Sequence, residues 1–253
     1  MASKATISFL RSLQQKKFRL KERAFVVEGP KLVNELFHSD FKVLSVYALA
    51  SWIPEPHVSV PVEVISEKEM EQVSGLQTPN KVLAVVALPD DNHRFTAPDA
   101  GLHLLVDQIQ DPGNLGTIIR IADWFGFRSV ICSLDTVDVF NPKVVQSTMG
   151  SIFRIPVIYD ALPDVLVKNA SGPKLPVFAT LLEGKNMYSE DLTDNGYVLM
   201  GNESRGLNPM LLPFVNRAIK IPGPGQKGGK AESLNVAIAA GVVCAEFRRR
   251  FPL

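Results

Sequence analysis

From Leu102 onward, the 253-residue chain alternates short apolar runs with longer segments of helical periodicity. The runs HLLVD, ending at Asp107, and YVLMG, ending at Gly201, lack alternation of polar and apolar residues, which is typical of strands covered on both faces. This pattern predicts an α/β fold, a mainly parallel sheet with helices on both faces. The predicted strands are 102–106, 129–132, 155–158, 177–180, 197–200 and 218–221, and the predicted helices are 115–125, 144–153, 208–213 and 234–249.

The first 88 residues predict a smaller α/β unit. Pro30 suits the first turn of a helix, because its missing N–H would have no partner there. The stretch from Pro89 to Pro98 is polar and rich in turn formers, which predicts a linker at 89–98 between domains at 1–88 and 99–253. The predicted strands of the first domain are 25–27, 43–49, 62–65 and 82–87, and its predicted helices are 7–15 and 30–37.

The last predicted helix has almost no polar face between Leu234 and Phe247. A helix that is apolar all round is expected to be buried all round, here against its own sheet and against a partner subunit. Its end, Arg248-Arg249-Arg250, favours the negative pole of the helix, and a separate contact of these arginines with RNA stays open.

The composition adds few restrictions. Hydrophobic residues make up 46% of the chain and charged residues 21%, as in an ordinary globular protein. No apolar run approaches the roughly 18 residues of a membrane span, and the N-terminus has no signal-peptide pattern, so a cytoplasmic protein is expected. Cys132 and Cys244 lie apart in apolar stretches without His neighbours, which favours buried thiols and predicts no metal site.

Charge is unevenly distributed although the net charge is only +1. The segment from Met1 to Lys31 has eight Lys or Arg against Glu22 and Glu28, a local charge of +6, which leaves −5 for the other residues. Clustered cations bind a phosphate backbone by releasing its counterions, so an RNA contact is one interpretation. A solvated helix face is the other.

Polar residues follow the predicted strands at the edge where open α/β sheets bind ligands. In DQIQDPGNLGTIIR, from Asp107 to Arg120, a strand leads through a turn into a helix that begins near Asn114. Asn114 is placed to cap that helix or to orient a ligand. Arg120, which lies among isoleucines and alanine, predicts a fixed anionic partner.

Two further segments also place polar residues after a predicted strand. GNESRGL, from Gly201 to Leu207, places Asn, Glu, Ser and Arg between two glycines directly after an apolar strand, which favours a site over a plain turn. Ile221-Pro222 is followed by a glycine- and lysine-rich loop at 223–232 and then by Ser233-Leu-Asn-Val, which opens the last helix. Ser233 and Asn235 are candidates for a site, although an ordinary N-cap would also explain one of them.

The three segments, in this order, resemble the signature motifs of the SpoU (TrmH-type) branch of the SPOUT methyltransferases. The resemblance covers about Leu102 to Arg250, and FVVEGPKLVNEL near the N-terminus is similar to the L30e-like substrate-binding domain of many members. It implies an S-adenosylmethionine-dependent enzyme that methylates a ribose 2′-hydroxyl in RNA, a deep trefoil knot, and a homodimer packed through the knot and the last helix.

The resemblance also assigns residues by motif position. The catalytic or substrate-positioning residues would be Asn114, Arg120, Glu203, Ser233 and Asn235, and the cofactor would be lined by Thr180, Leu181, Met200, Gly201, Ile221 and Leu234. The stretch from Pro222 to Ser233 is longer and richer in glycine than the family pattern, which puts cofactor contacts there in doubt.

A guanidinium group is effectively never deprotonated in proteins, so we expect Arg120 to bind a phosphate beside the target ribose rather than act as a base. Glu203 would organise Arg120 or the ribose. Members with an L30e-like domain often act on ribosomal RNA, which favours rRNA over tRNA. A non-catalytic RNA-binding protein is the alternative from another class, and isothermal titration with S-adenosylmethionine separates the two. A dehydrogenase is disfavoured because no G-x-G-x-x-G follows a strand.

Overall fold

The computed structural model describes residues 2–52, 60–89, 100–223 and 233–252. Linker residues 90–98 and loop residues 224–232 therefore lie outside the described residues. The strands are β1 Ala24–Glu28, β2 Val43–Ala48, β3 Val62–Val64, β4 Val82–Ala87, β5 Leu102–Val106, β6 Ser129–Cys132, β7 Val157–Tyr159, β8 Val177–Asn186, β9 Gly196–Met200 and β10 Arg217–Lys220. The helices are α1 Lys4–Ser12, α2 Lys16–Glu22, α3 Pro30–Phe37, α4 Glu67–Val73, α5 Pro112–Trp124, α6 Pro142–Thr148, α7 Leu162–Ser171 and α8 Val236–Arg250, with 3-10 helices at Ser151–Phe153 and Pro209–Phe214.

The chain divides into two compact units. Unit 1 consists of Met1–Asp91 together with Asp138–Arg154, and unit 2 consists of Asn92–Val137 together with Ile155–Leu253. Residues 138–154, which follow β6 in sequence, thus pack with the N-terminal residues. None of the helices in the described ranges has the length and apolar character that a membrane crossing needs.

Unit 1 has a four-stranded sheet in the order β1-β4-β2-β3, in which only β2 and β3 are parallel. Residues 138–154 are joined to α2 by a buried ion pair, in which Arg19 donates to Asp138 at 2.6 Å. They are joined to the sheet by aromatic contacts such as that of Phe25 on β1 with Phe140. Arg19 is only 2% exposed and also donates to two backbone carbonyls. This arginine of the basic N-terminal segment therefore has a structural role.

Unit 2 is built on a six-stranded, all-parallel sheet in the order β10-β8-β9-β5-β6-β7, which confirms the predicted fold class. The chain runs from β5 outward to β6 and β7, and from β9 to β10 on the opposite side. The strand order therefore reverses between β5 and β9. In open α/β sheets the crevice at the carboxyl ends of two such strands is the usual place for a ligand.

Several predicted elements differ in their bounds. The predicted helix 144–153 is two elements, α6 and a 3-10 turn, because Met149 and Gly150 both have positive φ angles, 51° and 96°. The predicted strand 177–180 continues to Asn186, and the helix predicted at 208–213 is a 3-10 helix that contains Pro213. Helices α2, α4 and α7 were not predicted.

Candidate active site

The first polar segment begins at the carboxyl end of β5. Asp107 is buried and its Oδ2 accepts a hydrogen bond from the backbone N–H of Asn208 at 2.7 Å, while burial raises the pKa of its carboxyl. Gln108 has a φ of +56°, a left-handed conformation that few non-glycine residues adopt. Its N–H donates to Ser133 Oγ at 2.8 Å, and its carbonyl accepts from Asn202 Nδ2 at 2.8 Å. Both neighbouring strand ends therefore hold this turn.

Helix α5 begins earlier than the sequence predicts. Pro112 is its first residue, and the N-cap is Asp111, whose side chain accepts from the Asn114 N–H at 2.8 Å. The helix therefore begins two residues before Asn114, because Pro112 is suited to a first helical position, and Asp111 rather than Asn114 is its cap. Asn114 lies within the first turn, and its side chain is directed away from its own helix.

The second polar segment is a tight turn after β9. An added Cβ on Gly201 would lie 2.6 Å from the backbone carbon of Gly206, so the two chain segments approach closely only because residue 201 has no side chain. Asn202 and Gly206 form a backbone bridge, and Asn202 Oδ1 accepts from the N–H groups of Ser204 and Arg205. The turn presents Glu203 at its tip.

Glu203, Asn114 and Asn235 come together in one hydrogen-bonded cluster. Glu203 Oε1 accepts from Asn235 Nδ2 at 2.7 Å, from Asn114 Nδ2 at 3.1 Å and from the backbone N–H of Val236 at 2.9 Å. Asn235 Nδ2 also donates to Asn114 Oδ1 at 3.0 Å. Three residues from three separate segments of the sequence thus converge beside the crevice between β5 and β9.

Asn235 is also the N-cap of α8. Its Oδ1 accepts from the N–H groups of Ala237 and Ile238, so the capping interpretation holds for this residue alongside its place in the cluster. The first helical N–H, that of Val236, donates to Glu203. A carboxylate at a helix N-terminus is stabilised by the unpaired N–H groups and the positive end of the helix dipole.

The structure does not bring Arg120 and Ser233 into the cluster. Arg120 is exposed on α5, and it forms no hydrogen bond or ion pair with another of the described residues. Six residues correspond to about one and two-thirds helical turns, so Arg120 and Asn114 face different directions. Ser233 is exposed just before α8. Among the described residues, Glu203 forms no ion pair with Arg120.

Five of the six predicted cofactor residues lie on or directly after three adjacent strands. Met200 ends β9 and Gly201 follows it, Ile221 follows β10, and Thr180 and Leu181 lie within β8, where its pairing with β10 is interrupted. Leu234, just before α8, is 48% exposed. Thr180 Oγ1 donates to the carbonyl of Leu199 at 3.2 Å, so its side chain is fixed on the neighbouring strand.

The irregular part of β8 provides backbone groups for a ligand. Ala218 pairs with Ala179, but the next residue, Ile219, pairs with Lys185, so residues 180–184 stand outside the ladder with β10. The backbones meet again at Gly184, where an added Cβ would lie 2.5 Å from Ile219. Peptide groups that do not pair with β10, beside apolar side chains, fit a cofactor such as S-adenosylmethionine, because ligand sites combine an apolar lining with a few placed polar groups.

Several residues that hold the site were not singled out from the sequence. Asp107, Gln108, Ser133 and Asn202 fix the two turns through hydrogen bonds between segments distant in sequence. The sequence signal was present for Asn202, since an Asn within a glycine-bounded turn often bonds to the backbone of its own turn. Ser133 gave no comparable signal. Within the described ranges, no three His, Cys, Asp or Glu side chains gather as a metal site would require.

Comparison with known families agrees with this geometry. Residues 101–245 match the SpoU rRNA Methylase family, and residues 4–84 match the MRM3-like substrate binding domain. The chain is 34% identical to the 23S rRNA (guanosine(2553)-2′-O)-methyltransferase RlmP of Bacillus subtilis, with 94% of each chain covered. The predicted resemblance to SpoU enzymes, with a substrate-binding domain ahead of the catalytic one, is confirmed.

Solved structures of similar proteins cover nearly the whole chain. A TrmH-family protein from Porphyromonas gingivalis is 37% identical with a TM-score of 0.87, and 99% of each chain is covered. The SpoU methyltransferase AviRb from Streptomyces viridochromogenes, solved in complex with AdoMet, is 25% identical with a TM-score of 0.83, again with 99% of each chain covered. The chain belongs to the SpoU rRNA methylase family.

Proposed function

We propose that this protein transfers the methyl group of S-adenosylmethionine to a ribose 2′-hydroxyl of ribosomal RNA. The observation that carries the proposal is the Asn114–Glu203–Asn235 cluster beside the crevice between β5 and β9. The B. subtilis relative is named for 2′-O-methylation of 23S rRNA, and a Streptomyces viridochromogenes relative, 32% identical over 80% of this chain, is named a 23S rRNA (uridine(2479)-2′-O)-methyltransferase. These names support rRNA as the substrate class, and the bacterial source of both relatives supports the cytoplasm as the location.

Transfer of a methyl group to an alcohol is an in-line displacement, so the acceptor oxygen must be aligned and must lose its proton. When bound, S-adenosylmethionine supplies an electrophilic methyl group on a sulfonium. Well-oriented reacting groups can lower a barrier by about 7–11 kcal/mol, and alignment is therefore the main task of the protein. The cofactor would be held along β8, at the ends of β9 and β10 and before α8, through Thr180, Leu181, Met200, Gly201, Ile221 and Leu234.

Glu203 and Asn114 are the residues we assign to the ribose. Glu203 Oε1 already accepts three hydrogen bonds, whereas Oε2 accepts none from the described residues. Oε2 would accept a hydrogen bond from a ribose hydroxyl and fix the direction of its oxygen lone pairs. Asn114 uses one amide hydrogen on Glu203, which leaves its second for the substrate.

Asn235 acts through its neighbours. Its two amide hydrogens are used on Asn114 and Glu203, and its oxygen is used on the first turn of α8. No donor or acceptor is left for substrate, so we assign Asn235 a positioning role. Ser233, exposed two residues earlier, is a candidate for contact with the RNA chain.

Arg120 would bind a phosphate next to the target ribose. It lies on the exposed face of α5 with Trp124, which is 80% exposed. Helix α5 packs against α8, whose outer face carries Ile238 at 59% exposure and the half-buried Val242. Trp124 and Ile238 are large apolar side chains exposed on these two packed helices, and we propose these faces as the homodimer interface. Arg120 would then act at that interface, beside the RNA.

The first domain is proposed to bind the RNA outside the site. We propose the domain limits 1–88 and 99–253 with a linker at 89–98, and a trefoil knot in the second domain.

With Arg19 buried, the exposed basic residues of the N-terminal segment are Lys4, Arg11, Lys16, Lys17, Lys21, Arg23 and Lys31. If these bind phosphates, replacing Lys16, Lys17 and Lys21 with glutamine reduces the salt dependence of RNA binding, by up to about one unit of slope for each phosphate that is no longer neutralised. An unchanged slope would assign them to a solvated face.

The proposed function is tested by mapping 2′-O-methylation of ribosomal RNA in a strain lacking the gene, against the parent strain. Loss of one ribose methyl group, restored by the gene and by the purified protein with S-adenosylmethionine, is the expected result. A complete rRNA methylation map in the deletion strain would contradict it.

A further inference from the structure

The turn that follows β6 has a feature that the proposed mechanism does not use. This β6 turn, residues Ser133–Val137, lies at the same carboxyl edge of the sheet as the cluster. Leu134 at its tip is 66% exposed, whereas Ser133 and Thr136 on either side are buried. A single exposed leucine is common on protein surfaces and needs no explanation by itself. Its fixed position beside the site is what gives it significance.

The β6 turn is fastened to the turn after β5. Ser133 Oγ accepts from the Gln108 N–H at 2.8 Å and bonds to Asp135 Oδ1 at 2.7 Å. Gln110 Nε2 donates to the Asp135 carbonyl at 2.5 Å, and the Val137 N–H donates to the Ile109 carbonyl at 2.8 Å. The turn that leads to Asn114 is therefore bonded on one side to Asn202 and on the other to the segment that carries Leu134.

The strand order places the β6 turn next to the end of β5. Most residues assigned to the cofactor lie on or after β10, β8 and β9, the cluster lies beyond the ends of β9 and β5, and β6 is the next strand after β5. Neighbouring strands are about 4.8 Å apart, so the β6 turn begins roughly one strand spacing from the end of β5. A nucleoside with its ribose at the cluster extends its base over a similar distance. A base directed away from the cofactor residues would therefore reach the β6 turn.

We propose that Leu134 packs against the base of the nucleotide whose ribose is methylated. This inference rests on the proposed function and deepens it, because it identifies a contact between the protein and the target base. An apolar side chain suits the flat face of a base. Because the β6 turn is already held by hydrogen bonds, its backbone loses little conformational entropy when Leu134 contacts the base. Leu134 is thus a substrate-positioning residue that contributes to RNA affinity rather than to the chemical step.

The test compares Leu134→Ala with wild type on an RNA fragment that contains the mapped target nucleotide, and on the same fragment with an abasic ribose at that position. On the natural fragment, Leu134→Ala is expected to raise KM about tenfold, the lower end of the effect of removing a buried leucine side chain, with kcat within about twofold. On the abasic fragment the variant and wild type are expected to have the same KM. Leu134→Met keeps an apolar side chain and is expected to restore most of the affinity.

The controls separate this contact from a structural effect. Val167→Ala removes a comparably exposed apolar side chain from α7, away from the β5–β9 crevice, and should leave KM unchanged. Thermal unfolding and the Kd for S-adenosylmethionine should be the same in all these variants. An equal KM for Leu134→Ala and wild type on the natural fragment, or an equal loss on both fragments, would overturn the inference alone. Absence of methyl transfer by the wild type would overturn the proposed function as well.

Discussion

Every hydrogen-bonding group of the Asn235 side chain is used within the protein, which distinguishes it from the two residues it supports. Its oxygen caps α8 and its amide group bonds to Asn114 and Glu203. The capping and site interpretations of this residue, which compete at the level of sequence, are both correct. Its place in the cluster depends on β9 and α8 meeting in space, and no local pattern reports that meeting.

Replacing Asn235 separates its two roles. Asn235→Ser keeps a side-chain oxygen that caps a helix but loses both amide donors, so the thermal stability should change by less than about 1 kcal/mol while kcat falls about 10- to 100-fold. Asn235→Ala loses the cap as well and should cost about 1 kcal/mol more. Thermal unfolding and single-turnover methylation measure the two effects. Full activity of the Ser variant would exclude the positioning role.

Arg120 is exposed in the chain on its own, which suits a group whose partner arrives with the substrate. Arg120→Lys keeps a positive charge but loses the planar pair of donors that matches a phosphate. We expect a raised KM for RNA, by about tenfold, and an unchanged pH optimum for kcat. A near-normal rate with a lower pH optimum would instead indicate that residue 120 acts as a base.

At the scale of elements, the buried strands of the parallel sheet were predictable because they are short apolar runs. Helix α4 was missed although Ser66 and Glu69 form a complete capping box, a recognisable signal. The irregularity of β8 at residues 180–184 could not be predicted, because it depends on pairing with β10 far along the chain. The predicted strand 177–180 therefore stopped short of the residues that leave the ladder.

The end of α8 shows how three arginines are held by the fold. Glu246 is only 4% exposed and accepts hydrogen bonds from Arg249 and Arg250, while Arg248 donates to the carbonyls of Phe125 and Gly126 after α5. These contacts give the arginines structural partners, in addition to the favourable interaction with the helix terminus. An RNA contact is not needed to explain them.

The ion pairs of Glu246 predict a pH-dependent contribution to stability. Hydrogen bonds from Arg249, opposed by burial and reinforced by Arg250, lower the pKa of Glu246 from its ordinary 4.5 to about 2. A lowered pKa in the folded state stabilises the protein above the unfolded value, and this stabilisation is lost as the pH falls from about 4.5 toward 2.

Glu246→Gln should therefore lower the free energy of unfolding by about 1–3 kcal/mol at pH 7. A larger effect is not expected, because Arg249 is exposed and solvent screens its charge. The difference from wild type should shrink below pH 4. Urea unfolding of both proteins between pH 7 and pH 2.5 measures this. A difference that is constant with pH would show that the carboxylate charge is not responsible.

At the scale of the whole molecule, the division into units differs from a simple cut along the sequence. Residues 138–154 pack with the N-terminal residues, and the buried Arg19–Asp138 pair is part of that packing. The motif resemblance assigns this segment to the catalytic domain, because sequence order alone cannot show where a segment packs. Both interpretations of the basic N-terminal segment treat its cations as exposed, but Arg19 is buried.

The apolar sequence of α8 predicts that the protein forms a homodimer through this helix. Burial of α8 on all sides is expected from its sequence, yet Ile238 is 59% exposed in the single chain. Ile238→Asp places a charge in the proposed interface and should shift the protein from dimer to monomer, because an unpaired charge at an interface core is strongly unfavourable. Light scattering coupled to size exclusion measures this, with Val167→Asp as the control on an exposed α7 position. A wild-type monomer, or a dimer that tolerates Ile238→Asp, would contradict the interface.

The central claim is that the Asn114–Glu203–Asn235 cluster aligns a ribose hydroxyl for methylation. The most direct test is single-turnover methyl transfer from labelled S-adenosylmethionine to ribosomal RNA by wild type and by Glu203→Gln. The wild type should methylate one ribose 2′-hydroxyl, and the variant should lose at least about 100-fold in rate while its Kd for S-adenosylmethionine stays within about threefold. Equal rates for the two proteins, or a methyl group found on a base rather than a ribose, would contradict the account.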